Sequence, residues 1–200
     1  MKRIVLASDN RHKIKEFREI LADYEILALK DVGFNDEIVE DGKTFLENAL
    51  IKAKAVKVFL DNKNIDAYII ADDSGLCVNS LNGEPGIYSA RYAGEHGNND
   101  ANRKKLLDNL RDKEDRSAYF NCTLVLLKND GSYDHFDGKT YGEILTAEEG
   151  NRDFCFDCLF YSSDLKKSFG VATAEEKNSV SHRARAIEQL KKYLQNDEKF

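Results

Sequence analysis

The sequence predicts an α/β protein with a mixed β-sheet, and two observations support this. In the first half, short apolar runs typical of buried strands alternate with segments whose apolar residues recur at helical spacing. Further on, Asn129-Asp130-Gly131 separates two strand-like stretches, as in a β-hairpin. Alternating strands and helices favour parallel pairing, whereas a hairpin is antiparallel, so we expect one sheet that contains both.

Residues 4–7 are the first apolar run and predict a buried strand. Apolar residues then recur at helical spacing and predict the first helix: Ile14, Phe17, Ile20 and Leu21. A second helix is expected from Thr44, because Glu47 three residues later makes a capping box. Its apolar stripe is Phe45, Ala49, Val56 and Leu60.

The later elements follow the same two periodicities. Residues 68–71 predict a third strand, 99–110 a helix, and 119–127 a long strand that pairs with a partner after residue 132. The last helix is expected to begin near Ser181, with three apolar residues facing inward: Ile187, Leu190 and Leu194.

Length and composition limit the class of protein. A chain of 200 residues can bury a sizeable core, and we predict a single domain over residues 1–200. The net charge of −6 argues against a protein that binds duplex nucleic acid. No apolar run approaches the length of a membrane span, and the stretch after Met1-Lys2-Arg3 is too short for a signal peptide. We therefore expect a cytoplasmic protein.

Asp72-Asp73-Ser74-Gly75 is the feature that most suggests chemistry. The two carboxylates follow the strand at 68–71, where α/β folds place their sites, and Ser74 with Gly75 predicts a sharp turn. A loop that carries Arg91 and the only proline of the chain comes soon after. Together these residues suggest a divalent metal and an anionic substrate, although a strand end capped by an Asx-turn would look the same.

Three further segments are candidates for the same site. Ser8-Asp9-Asn10 precedes the first helix with Lys13 one turn in, which suits phosphate but also ordinary capping. Glu40-Asp41-Gly42 is either a surface turn or, if folding brings Glu40 near Asp73, part of a Mg²⁺ site.

The first turn of the last helix carries cations that oppose the helix dipole: His182, Arg183 and Arg185. This bias favours an anion above that helix end. Just before it, Thr173 and Glu176 predict an ordinary capping box, which leaves Lys177 as the candidate ligand.

The four cysteines are Cys77, Cys122, Cys155 and Cys158. The last two have the Cys-x-x-Cys spacing of half a zinc site or a redox pair. No second close pair of cysteines or histidines completes a zinc site, and the pair lies in an aromatic, strand-like run rather than at the start of a helix. Neither role is therefore favoured.

Taken together, these motifs resemble the inosine-triphosphate pyrophosphatase family along almost the whole chain. The matching segments are Ser8-x-Asn10-x-x-Lys13, Glu40-x-Gly42-x-Thr44-Phe45-x-Glu47-Asn48-Ala49, Asp72 to Leu76, Gly86 to Tyr92, Glu175-Glu176-Lys177 and Ser181-His182-Arg183. The resemblance implies a long, bent mixed sheet with two lobes and a substrate cleft between them. It also implies a homodimer that uses Mg²⁺ to hydrolyse ITP, dITP and XTP to the monophosphate and pyrophosphate.

The resemblance also implies a role for each matching residue. Asp73 would accept the proton from water, assisted by Asn10 and Lys13, and Glu40 with Asp73 would hold the metal. The substrate-binding residues would be Ser8, Asp9, Asn10, Lys13, Lys52, Ser74, Phe154, Cys155, Phe156, Asp157, Lys177, His182 and Arg183.

One segment departs from the pattern of that family. Cys155 and Cys158 stand where the family usually has glycine and proline, so the loop lacks both the access to positive φ and the fixed φ of those residues. Two alternatives to the predicted activity remain at this stage: a purine-nucleotide sensor without turnover, and a related pyrophosphatase with a different nucleotide preference.

Overall fold

The structure is a computed structural model that describes residues 3–152 and 154–196, without the side chain of His12. The strands of these residues form one seven-stranded sheet in the order β2-β1-β3-β4-β5-β6-β7. In chain order the strands are β1 (Arg3–Leu6), β2 (Glu25–Leu27), β3 (Tyr68–Val78), β4 (Ser117–Leu127), β5 (Tyr133–Ile144), β6 (Phe160–Ser162) and β7 (Lys167–Ser168).

The sheet is mixed, as predicted. Ile4 of β1 lies beside Ile26 of β2 and Tyr68 of β3 in parallel register. At the other end, β6 pairs antiparallel with β5, with Gly142 opposite Ser162, and also with β7. The predicted hairpin joins β4 to β5, and the Lys128 N–H donates to the Ser132 carbonyl at 2.8 Å across its turn.

The helices are α1 (Arg11–Ile20), α2 (Leu29–Val32), α3 (Phe45–Asn62), α4 (Asn99–Asn109), α5 (Ala174–Val180) and α6 (His182–Asn196). Short 3-10 helices span Asn79–Leu81, Gly86–Arg91 and Asp157–Leu159. At α3 the Thr44 hydroxyl accepts from the Glu47 N–H, as predicted, while the Glu47 carboxylate accepts from the Lys43 N–H at 2.6 Å. No helix among the described residues is long and apolar enough to cross a membrane.

The chain divides into two compact units. The described part of the first unit takes in residues 3–73, 123–137 and 184–196, and that of the second takes in 74–122 and 138–183. In the first unit, α3 packs its small apolar face, including Ala49 and Ala53, against strand residues such as Ile69 and Val125. The second unit has its own core, built largely from aromatic side chains such as Phe120, Phe160 and Phe169.

Strand β3 is longer than predicted, which corrects the expected turn at Ser74 and Gly75. It continues through both aspartates to Val78. Gly75 has a different use, since a Cβ at this position would lie 2.2 Å from the Gly86 carbonyl oxygen. The Ser89 hydroxyl closes this contact: it accepts from the Leu76 N–H at 2.9 Å and donates to the Gly86 carbonyl at 2.7 Å. The glycine therefore permits close packing rather than a turn.

Candidate active site

Lys13 and Asp72 form a buried ion pair within the first unit. The ammonium of Lys13 on α1 donates to both carboxylate oxygens of Asp72 on β3, at 2.9 and 2.8 Å. The Asp72 side chain is only 1% exposed, so a charge must face it for the carboxylate to stay ionised. This ion pair explains how an aspartate can occupy a buried position within a strand.

A second pair joins the Glu40 loop to α3 in the same unit. The Lys52 ammonium lies 2.8 Å from a Glu40 carboxylate oxygen. Burial on its own would lower the pKa of Lys52, but the charges of Asp72, Asp73 and Glu40 outweigh it and the pKa is raised. The structure thus brings Glu40 near Asp73. This proximity was the condition under which the Glu40 segment could be part of a Mg²⁺ site.

Burial raises the pKa of the Asp73 carboxyl above its ordinary value. The charge of Lys52 and a hydrogen bond from Asn48 lower it, while the charges of Glu40 and Asp72 raise it. A carboxyl with a raised pKa is a better proton acceptor than an ordinary aspartate.

Asn48 is a site residue that the sequence reasoning left unassigned. It is 1% exposed on α3, and its amide nitrogen donates to Asp73 at 2.9 Å while its amide oxygen accepts from the Gly42 N–H at 2.9 Å. Because the Gly42 N–H can only donate, the amide oxygen must face it and the amide nitrogen must face Asp73. The sequence signal that could have identified Asn48 is a polar residue within the apolar stripe of a predicted helix.

The segment before α1 shows the capping contacts that were the alternative to phosphate binding. The Asn10 side chain accepts from the Lys13 N–H at 3.2 Å, and the Ser8 hydroxyl accepts from the Asn10 N–H at 3.2 Å. Asp9 accepts from the Lys30 N–H at 3.1 Å. These bonds shape the turn between β1 and α1, and phosphate binding by the same residues stays a prediction.

Two carboxylates of the first unit are the candidate metal ligands. No group of three or more His, Cys, Asp and Glu side chains suited to a metal occurs within residues 3–152 and 154–196. Glu40 and Asp73 are two carboxylates near each other. Mg²⁺ in nucleotide enzymes commonly takes one or two carboxylates together with phosphate oxygens and water. The residues present therefore fit a metal that the substrate helps to hold.

The second unit brings together three of the residues predicted to bind the nucleotide. The Lys177 ammonium lies 3.8 Å from the centroid of the Phe154 ring and is ion-paired with Asp157. Asp157 is 7% exposed, whereas Phe154 is 38% exposed. A partly exposed aromatic ring can stack a base, and an ammonium held against that ring can donate to an oxygen on the edge of the base.

The segment around the two cysteines is a turn followed by a 3-10 helix, so its prediction as strand-like was wrong; β6 begins only at Phe160. Cys155 and Cys158 are free thiols, and burial raises the pKa of both. Cys155 does not have a positive φ angle, so the backbone at this position does not require glycine. Phe156 is 3% exposed and packs in the core of the unit.

The last helix begins at His182, and its predicted inward residues are buried. His182 is 8% exposed and stacks on Phe120, with ring centroids 5.0 Å apart, while Arg183 is half-buried. The predicted capping box of Thr173 and Glu176 is confirmed on α5, which carries Lys177. Ser74 is half-buried on β3, and the predicted nucleotide contacts of Ser74, His182 and Arg183 stay predictions.

The sequence is similar to those of known proteins along almost its whole length. The profile of the Ham1 family matches residues 4–193. The chain is 48% identical over 199 residues to a dITP/XTP pyrophosphatase of Clostridium perfringens, with 97% of this chain and 98% of the relative covered. It is 41% identical over 199 residues to a dITP/XTP pyrophosphatase of Bacillus subtilis, with 98% of each covered.

Solved structures agree with the sequence comparison. The structure of the Staphylococcus aureus Ham1 protein superposes with a TM-score of 0.87 at 40% identity, over 97% of this chain and 98% of that one. A HAM1 protein from Coxiella burnetii gives a TM-score of 0.88 at 34% identity, over 98% and 100% of the two chains.

Proposed function

The chain belongs to the Ham1 family, and on this premise we propose that it removes non-standard purine nucleotides such as ITP, dITP and XTP by hydrolysing them to the monophosphate and pyrophosphate. It is a nucleoside-triphosphate pyrophosphatase, a hydrolase that acts on the α–β phosphoanhydride. Beyond the relatives, the polar cluster of the first unit supports this chemistry most directly, because it sets Asp73, a half-buried carboxylate of raised pKa, near Lys52 and next in sequence to the Asp72 that pairs with Lys13.

Within that cluster, Asp73 orients the attacking water and accepts its proton. The Asn48 amide nitrogen donates to Asp73 and so orients its carboxylate. Lys13, Lys52 and Asn10 bind the triphosphate, and the two ammonium groups stabilise the charge on departing pyrophosphate. Lys13 can serve the phosphate while it stays on Asp72, because an ammonium has three donors and two are engaged there.

Mg²⁺ is the proposed metal, with Glu40 and Asp73 as its protein ligands. Bound there together with the substrate, the ion would neutralise charge on the phosphate oxygens. To bind one ion, the two carboxylates must be held in a fixed orientation. The side-chain amide of Asn48 contributes to this, because it hydrogen-bonds both the Gly42 N–H beside the Glu40 segment and the carboxylate of Asp73.

Selection of the base belongs to the second unit in this proposal. Phe154 provides an aromatic face, and Lys177, held by Asp157, donates to the 6-oxo group shared by hypoxanthine and xanthine. Adenine carries a 6-amino donor there, which would leave the ammonium N–H that points at the base without an acceptor. Cys155, Phe156, Ser74, His182 and Arg183 complete the proposed nucleotide site, with Phe156 acting through its packing.

Three properties are proposed on less direct support. The family resemblance implies a single domain of 1–200 and a homodimer, and light scattering tests the dimer. A cytoplasmic location fits four free cysteines and a substrate drawn from the nucleotide pool.

The proposed function is tested by pyrophosphate release from dITP, dGTP and dATP, with and without Mg²⁺, for wild type and Asp73→Asn. We expect Mg²⁺-dependent release from dITP far above the other two, and a fall of about 10²–10⁴-fold in kcat for the variant, the range that a general base contributes. Tight dITP binding without release would indicate a sensor. Faster release from a modified pyrimidine triphosphate would indicate a different nucleotide preference.

A further inference from the structure

Arg103 is a buried cation of the second unit that the chemistry above does not use. It lies on α4 with its side chain 2% exposed, and it is among the largest fully buried side chains of the described residues. Burying a guanidinium is costly unless its charge is paired and its donors are bonded. Such a residue therefore needs a full set of partners, and those partners show what it holds.

The partners of Arg103 lie on both sides of it. Nε donates to the Glu148 carboxylate at 2.9 Å, and Asp100 on the same helix supplies a second carboxylate. A third donor reaches the main-chain carbonyl of Cys155 at 3.1 Å. The two acids hold the guanidinium in place, and the guanidinium in turn holds a backbone atom.

The carbonyl of Cys155 lies inside the segment that carries Phe154 and Asp157. The downstream end of this segment is also anchored, because the Gly170 N–H donates to the Asp157 carbonyl at 3.0 Å and the Glu149 N–H donates to the Cys158 carbonyl at 2.8 Å. Arg103 supplies the anchor at the upstream end. Neither cysteine restricts its own backbone as proline would, so contacts of this kind must define the path of the segment.

We propose that Arg103 is the positioning residue for base recognition: by fixing the Cys155 carbonyl it orients Phe154 and Asp157, and so it determines how strongly the enzyme prefers a 6-oxopurine. This inference rests on the proposed function of the Phe154 and Lys177 site. The planar fork of arginine is essential to it, because one lysine ammonium cannot serve two carboxylates and the carbonyl in the same directions.

The first test needs no substrate. Cys155 is half-buried, whereas Cys77 and Cys122 are buried, lie outside the segment and serve as internal references. In Arg103→Lys we expect the labelling rate of Cys155 by a thiol reagent, followed peptide by peptide in a mass spectrometer, to rise by about tenfold or more, because local opening becomes easier. The reference cysteines should keep their rates.

Arg116→Lys is the matched control. Arg116 is a half-buried arginine of the same unit whose guanidinium donates to three main-chain carbonyls, those of Leu110, Ile144 and Leu145. Its replacement should also lower the melting temperature, but it should leave the labelling of Cys155 within about twofold of wild type.

The second test is kinetic. We expect Arg103→Lys to lower kcat/KM for dITP by about tenfold or more, mainly through KM, and to reduce the ratio of kcat/KM for dITP over dATP, which carries a 6-amino group, by about fivefold or more. Arg116→Lys should keep that ratio. If Arg103→Lys does not fold, Glu148→Gln gives a milder form of the same test. It keeps the shape of the side chain and removes one of the two negative charges that face the guanidinium.

The outcomes separate this inference from the proposed function. A wild-type enzyme without dITP turnover would remove the function and leave the labelling result standing. Normal wild-type turnover, with unchanged Cys155 labelling and an unchanged ratio of kcat/KM for dITP over dATP in the Arg103 variant, would overturn the positioning role.

Discussion

The two units hold their proposed site residues in different ways. In the first, each cation is paired with a carboxylate from a distant part of the chain: Lys13 with Asp72 and Lys52 with Glu40. In the second, Lys177 lies against an aromatic ring and one aspartate, while the backbone beside it is fixed by Arg103. Dense pairing of charges suits a reaction that moves a proton and an anion, whereas a fixed backbone with one exposed ring suits recognition of shape. Variants in the first unit should therefore change kcat and stability, and variants in the second should change KM and selectivity.

The largest effect is expected at the ion pair of Lys13. Lys13→Met leaves the Asp72 carboxylate buried without its charge partner, so we expect a loss of about 3–5 kcal/mol in the free energy of unfolding. The double variant Lys13→Met with Asp72→Asn should recover most of that stability, because no isolated charge remains. Urea denaturation and dITP turnover measure the two effects. Recovery of turnover along with stability would contradict a phosphate role for Lys13.

A smaller effect, on binding, is expected at Lys177. Lys177→Met removes the cation beside Phe154, and we expect KM for dITP to rise about tenfold with kcat within about threefold of wild type. Lys105 provides the matched control, since its ammonium lies 4.4 Å from the centroid of Tyr92 and donates to the carbonyl of that residue. Lys105→Met should leave KM unchanged. An equal rise in KM for both variants would mean that general loosening of the unit is responsible.

The smallest effect contrasts one substitution in the two units. Burial raises the pKa of Asp73, so the native protein holds that proton more tightly than the unfolded chain does. Ionisation of Asp73 therefore costs stability, and this cost appears as the pH rises from below the ordinary aspartate value through the raised one. With a chelator present, Asp73→Asn should melt above wild type at neutral pH, and the difference should narrow as the pH falls toward about 4.

Asp157→Asn should have the opposite sign, because it removes the partner of Lys177 from a position that is 7% exposed. Calorimetric melting curves across the pH range test both variants. Equal melting temperatures of Asp73→Asn and wild type at neutral pH would contradict a stability cost of ionising Asp73.

Local patterns predicted most of the fold. The helical spacing of Ile187, Leu190 and Leu194 and the turn chemistry at Asn129-Asp130-Gly131 depend on near neighbours, and the structure confirms both. The length of β3 could not be obtained in this way. Two adjacent aspartates favour a strand end, and what keeps them inside the strand is an ion pair with Lys13, 59 positions away.

The site shows the same division. A phosphate-binding role for Asn10 and Lys13 is predicted from their place at the start of a helix, and the family resemblance predicts Glu40 with Asp73 as metal ligands. The role of Asn48 does not, because its hydrogen bonds connect a loop and a strand, the strand residue being 25 positions away. The Arg103 network likewise joins α4 to residues 45 and 52 positions distant. Side chains whose function is to hold other groups are specified by tertiary contacts, and a motif does not report them.

The close packing of Gly75 has a consequence for engineering the chain. The backbones of Gly75 and Gly86 lie so close together that a Cβ on Gly75 would clash with Gly86. The ten residues between them therefore form a loop whose two ends are in backbone contact. Insertions or deletions within residues 79–85 would shift Gly86 away from its partner, which makes this loop a poor place for a tag or a graft. The hairpin tip at Gly131 carries no such constraint, since its Cβ position opens onto empty space, and it is the better site for labels and fusions.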